Sequence, residues 1–432
     1  MRWFSDQGRK ASDSGAQSPG AIRTAVLGAN PAFGRLVPYF LGMTLLEAGS
    51  VLLYSSNVLL LPPANLINLP VTHLFSTVAN VVTGLCIALA AWRRTETAPL
   101  FRQRWPLYAL GATGAGAALG VACASDGILP PESAAACMAL TAISGTCLCV
   151  ALMEGLLRWG VQPTPVAGSV AAPTLVTQAV RSALACYAAA MVGGSVLALL
   201  VGVLPGAVGR ALTIMLPLLA VAAWRPRQSP VNQLVSADRP SERQGPPDGR
   251  ALTRPALREL LGRVPWQFIL VAGIVSFAFG AVNTFYLPAN QNTTPISEWA
   301  LTLIANTAAF LIASLVAFYS FRINLALVFY VAIPFVALAS VLLVIPLDLP
   351  AVILVPTTSI GVVLIRLLVW LLLVGVVVRG RASAAFCFGL LISVQFTGTF
   401  LGQILAVASA NNDLYLSFAV LICLLSADFR SV

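Results

Sequence analysis

The sequence predicts an all-α integral membrane protein with about twelve spanning helices, in two sets of six, with both termini cytoplasmic. Three observations carry this. Apolar residues make up 58% of the chain and charged residues only 9%, whereas a soluble domain carries roughly 25% charge. That leaves too little polar surface to coat a globule, and mean hydropathy is correspondingly high at +0.89. Apolar runs long enough to cross a bilayer core recur along the whole chain. Finally, the basic residues fall on alternate inter-span segments, which is the positive-inside pattern.

The first 35 residues are polar, rich in Ser, Gly and Ala, and read as a disordered cytoplasmic tail. They contain no secretory signal, because the first apolar run is too long and lacks a small-residue cleavage site. The expected spans of the first set are 36–60, 70–92, 106–124, 134–157, 177–203 and 207–224, so the first bundle covers 36–224. A basic segment, 225–263, follows. It begins with a Pro-, Ser- and Arg-rich stretch and ends in an expected interfacial helix capped by Thr253, with Pro255 in its first turn. The second bundle, 264–432, holds expected spans 264–288, 299–320, 324–346, 351–378, 383–408 and 413–428. Leu, Ala, Val and Gly run through these segments without the strict alternation of a barrel strand.

Orientation follows from charge. With a cytoplasmic N-terminus, Arg35, Arg93, Arg94, Arg102, Arg104, Arg158, Arg181, Arg322, Arg379, Arg381 and the 225–263 cluster all lie inside. Asp126, Glu132, Glu298, Asp348 and Asp413 lie outside, where Arg210 is the one basic exception. The net charge of +10 then reflects topology and anionic inner-leaflet lipid. Basic residues dispersed over many short segments do not form a nucleic-acid surface, and membrane lipid is the expected partner.

Charged side chains inside a span cost about 2.5–3.5 kcal/mol each on insertion scales, so they face the bundle interior and usually have a role. Glu47 in the first span, Arg366 in the tenth and Glu154 near the inner end of the fourth qualify. Glu47 and Arg366 are expected to form a polar site that binds a solute or relays a proton, or else a structural pair. Glu154 is placed to bridge Arg158 one turn on. Gln395, Thr397 and Asn306 read as interhelical contacts, and His73 as an interfacial residue. The eight cysteines are scattered and, with a single His, build no metal or haem site. No cofactor and no catalytic residues are expected, since each polar segment is shorter than a minimal folding unit. Gly116 and Gly120 form a GxxxG step with Gly111 and Gly114 nearby, expected to mediate close packing, as are Gly193, Gly194, Gly202, Gly273 and Gly280.

The six-plus-six plan with a basic central loop resembles the major facilitator superfamily of transporters. The segment Ala91-Trp92-Arg93-Arg94 to Arg104 carries the basic residues of that superfamily's motif between spans two and three, without its Gly and Asp. Ser320 to Asn324 lacks the motif as well. The resemblance implies a central cavity lined by spans one, four, seven and ten, which hold Glu47, Glu154 and Arg366, and to which the seventh adds Asn283 and Thr284. It implies secondary transport of a small solute across a bacterial cytoplasmic membrane. A narrower resemblance rests on the Gly-rich eleventh span, Phe386 to Gly402. That segment is similar to the membrane region of actinobacterial LuxR-type regulators, in which a helix-turn-helix follows the membrane domain. Here Ser426 to Val432 reads only as a tail. This second likeness implies a solute sensor acting on a separate cytoplasmic regulator.

Overall fold

The computed structural model describes residues 31–55, 69–94, 104–160, 172–224, 257–291, 351–379 and 382–408, with isolated positions between 304 and 315. Every regular element among them is helical. The helices are α1 (Pro31–Ser55), α2 (Leu69–Arg93), α3 (Arg104–Ser125), α4 (Glu132–Gly155), α5 (Ala172–Gly202) and α6 (Gly206–Ala223), then α7 (Leu257–Arg263), α8 (Trp266–Gln291), α9 (Ala351–Val378) and α10 (Ala384–Ala408). A π-helical turn, Leu156–Gly160, extends α4. Seven of these, α1 to α6 and α10, contain described stretches long and apolar enough to cross a membrane, and α8 and α9 contribute shorter apolar stretches. The N-terminal tail to residue 30 and the expected spans 299–320, 324–346 and 413–428 lie outside the described residues or nearly so. Of the expected interfacial helix, α7 is the described part, closed by a Glu259–Arg263 ion pair of 2.6 Å.

The burial pattern is that of a protein dissolved in lipid. On α2, Phe75, Val78, Val82, Leu85 and Leu89 share one face and are exposed, while Ser76, Thr77, Asn80 and Thr83 are buried. A helix in water would place these faces the other way round. The polar inner face is satisfied within the bundle. The Thr146 hydroxyl of α4 donates to the Asn80 side-chain carbonyl, and Ser76 and Thr77 hydroxyls donate to the His73 carbonyl at 2.9 Å. His73 is itself buried within the bundle.

Glycines set the helix spacing. At the α8–α10 crossing, a methyl on Gly398 would collide with the Gly273 carbonyl, and one on Gly402 with the Phe277 carbonyl. The α2–α10 crossing joins the first bundle to the second by the same device, because added Cβ atoms on Gly84 and Gly389 would each meet the other's carbonyl at 2.8 Å. The expected close packing of α3 holds at three of its glycines and is corrected at the fourth. Gly111 and Gly114 pack against α6 and Ser144, and Gly120 against Cys137, whereas Gly116 faces open space.

Two ends of the bundle are distinguished by charge. Arg35, Arg93, Arg94 and Arg379 are exposed at one, hereafter the basic end. At the other, Asp126 accepts from Arg210 at 2.6 Å, next to a turn in which Gly127 has φ +73°. The residue that broke the basic asymmetry is therefore neutralised by an ion pair.

A bulky side chain in the α8–α10 contact should be costly. Gly402→Leu is expected to destabilise the protein by about 1–3 kcal/mol or more, read as a lower melting temperature in detergent. Gly116→Leu should leave the melting temperature nearly unchanged.

Candidate functional site

Glu47 lies on α1, twelve residues beyond Arg35, or roughly 18 Å of helix from the basic end at the standard rise. Arg366 lies on α9, thirteen residues before Arg379, roughly 20 Å from the same end. The two charges therefore sit at matching depth, one in each bundle. Each lies in the other's electrostatic field. Both side chains are half-buried, so neither is sealed within the packed core. Between them there is no direct ion pair, meaning no N···O contact within 4.0 Å, among the described residues.

The placement of Glu47 depends on α5. A methyl on Gly194 would meet the Glu47 Cβ at 2.6 Å, and one on Gly193 would press on Thr44. The paired glycines thus allow α1 and α5 to approach until the Glu47 stem lies directly on the α5 backbone. On α5, the Tyr187 hydroxyl oxygen lies close enough to the Arg366 guanidinium to accept from one of its N–H groups. Cys149 of α4 interacts electrostatically with both Glu47 and Arg366. Four helices, α1, α4, α5 and α9, therefore converge on one polar cluster.

Toward the basic end the cluster rests on an aromatic layer. Trp370, one helical turn beyond Arg366, is 2% exposed and stacks on Tyr187 with ring centroids 4.6 Å apart and planes 5° from parallel. Its indole N–H points to the Met153 sulfur at 3.3 Å, and Phe388 of α10 packs at 6.1 Å. The same ring thus contacts α4 and α5 of the first bundle and α10 of the second.

The other expected site residues are placed as follows. Glu154 is buried and pairs with Arg158 at 3.2 Å across one turn. Asn283 and Thr284 lie on α8, with side chains outside the described residues. Thr397 turns its hydroxyl back to the Ser393 carbonyl at 2.7 Å, Gln395 is half-buried, and Asn306 is not among the described residues. Among the described residues no three His, Cys, Asp or Glu side chains come together. Sequence reasoning missed Tyr187 and the role of Trp370. Nothing in their immediate sequence separates them from ordinary aromatic core.

Neither a protein-family model nor a curated protein matches the sequence. Solved structures do. A bacterial homologue of the iron transporter ferroportin, in an outward-facing state with soaked iron, aligns over 93% of this chain and 98% of its own, with TM-score 0.56 and 14% identity. A second structure of such a homologue, also outward-facing, aligns over 92% and 97%, with TM-score 0.51 and 14% identity. The chain therefore shares its all-α fold with these two structures, and seven of its described helices are long and apolar enough to cross a membrane.

The aromatic layer should be a principal source of local stability. Trp370→Ala is expected to cost about 3–5 kcal/mol, measured by thermal or denaturant unfolding in detergent. Trp370→Phe, which keeps a ring against Tyr187, should cost clearly less.

Proposed function

We propose that the chain is a secondary transporter that moves a small solute through the space between its two bundles by alternating access, and that it catalyses no chemical step. The carrying observation is the pairing of Glu47 and Arg366 across that space. Two opposite charges kept apart deep in a membrane protein are expensive, and a purely structural pair would be expected to close into direct contact. Solute sites of this architecture lie near the bilayer midplane between the two repeats, which is the depth these residues occupy. The likeness to ferroportin homologues supports the transport reading at the level of fold.

In this reading the basic end faces the cytoplasm of a bacterial cell, with both termini on that side. The domain limits are those of the sequence, two six-helix bundles at 36–224 and 264–432 joined by a basic segment at 225–263. The Trp370 layer and the Gly84–Gly389 crossing then lie on the cytoplasmic side and must part for release inward. The two solved neighbours are outward-facing, in keeping with closure on this side. Iron, which one of them was soaked with, is not carried over to this chain at 14% identity.

Flux into proteoliposomes tests the proposal. Wild-type protein should accumulate at least one radiolabelled small solute under an imposed ion gradient, and Arg366→Ala should reduce that flux at least tenfold while its melting temperature shows a folded protein. A variant with full flux would remove Arg366 from the site. Binding without flux for every solute would instead favour a solute sensor that signals to a separate regulator.

A further inference from the structure

Resting on the transporter reading for its site and going beyond it to the solute, we propose that the space between Glu47 and Arg366 takes a small zwitterion. Its ammonium group would sit against Glu47 and its carboxylate against Arg366.

The charge arrangement points to this class. Glu47 and Arg366 belong to different bundles, feel one another electrostatically and make no direct ion pair. A solute with a single charge would bind one of them and leave the other without a partner inside a medium of low dielectric, where an unpaired charge is strongly disfavoured. A neutral solute would leave both opposite charges to find water. A molecule carrying both charges on a short spacer satisfies the two sites together and leaves the net charge of the cavity unchanged.

The individual groups fit their assigned partners. The guanidinium is planar and presents parallel N–H donors that match a carboxylate in bidentate geometry. The Tyr187 hydroxyl oxygen is close enough to accept from one N–H of the guanidinium, which leaves the others for a carboxylate. The Tyr187 ring is already covered by Trp370 at 4.6 Å, so that face is not open to a solute cation. Glu47 is left as the acceptor for the ammonium group. The site must be small on the basic side, because the stacked rings bound it within one helical turn of Arg366. On the α5 side Gly194 brings the helix backbone against the Glu47 stem.

Binding by detergent-purified full-length protein tests this, with glycine, L-alanine, β-alanine and glycine betaine as zwitterions, acetate and propionate as anions, and ethylamine and propylamine as cations. At least one zwitterion should bind ten or more times more tightly than the anion and amine that match its two halves. Glu47→Gln should weaken that zwitterion at least tenfold while leaving acetate binding equal or improved. Arg366→Gln should abolish binding of every carboxylate. If Glu47→Gln fails to fold, Arg366→Lys, which keeps the charge but not the fork, should weaken zwitterions while preserving their preference over amines. Equal affinity for acetate or ethylamine and the zwitterions would overturn the proposal, as would no binding of any zwitterion. Proteoliposome flux separates the two levels. A zwitterion that binds but never crosses leaves the site standing and defeats transport. Flux of another solute without zwitterion binding does the reverse.

Discussion

Lipid tails are as apolar as leucine side chains, so helices within a bilayer gain little by hiding apolar surface from one another. Close backbone approach and buried polar contacts must do that work instead, and the described bundle is built on both. Gly273, Gly398 and Gly402 bring α8 and α10 together to where no methyl fits, and Gly84 with Gly389 does the same between α2 and α10. The Asn80–Thr146 hydrogen bond fastens α2 to α4, and the Ser144 hydroxyl donates to the Leu110 carbonyl at 2.7 Å between α4 and α3. On α2 the large apolar side chains are turned outward while polar ones are buried. Everything at the centre of the molecule is positioned by these few contacts.

Gly193 and Gly194 show how packing becomes chemistry. They allow α1 to lie against α5, and that approach carries Glu47 inward at the depth of Arg366. The guanidinium in turn is oriented by Tyr187, whose ring is fixed by Trp370, whose indole reaches Met153 on α4. A chain of contacts thus runs from the polar cluster to three helices on the basic side. A solute that drew Glu47 and Arg366 together would pull on α1 and α9, and Trp370 on α9 would move with the latter. Under the proposed transport cycle, Arg366 and Trp370 would move together, because they share one turn of one helix.

The legible part of the site was the part written in charge. Glu47 and Arg366 stand out in the sequence because an ionised group in an apolar run has few innocent explanations. Glu154 stood out for the same reason, and its partner one turn away was equally readable. Tyr187 and Trp370 were not, since aromatic residues in a membrane helix are ordinary filler until their contacts are known. Glycine spacing pointed to close contacts at Gly120, Gly194, Gly273 and Gly280, but not at every position. Gly116 and Gly120 matched a packing motif, yet Gly116 faces open space, while Gly84 and Gly389 matched no motif because each is one half of a contact between distant segments. The fold class was legible for a simpler reason. It follows from the solvent, and composition reports the solvent directly.

The Arg210–Asp126 pair bears on how charge sets orientation. Counted by residue, Arg210 is a basic side chain at the acidic end and opposes the asymmetry of the chain. Counted by net charge, the pair contributes nothing, because guanidinium and carboxylate lie 2.6 Å apart across the ends of α3 and α6. The field that anionic lipid feels is then carried by the opposite end, where Arg35, Arg93, Arg94 and Arg379 are exposed. Insertion reads the chain before α6 has met α3, so Arg210 must be tolerated as a bare charge first and be neutralised afterwards. A single residue opposed by more than a dozen on the other side is a small enough handicap for that order of events.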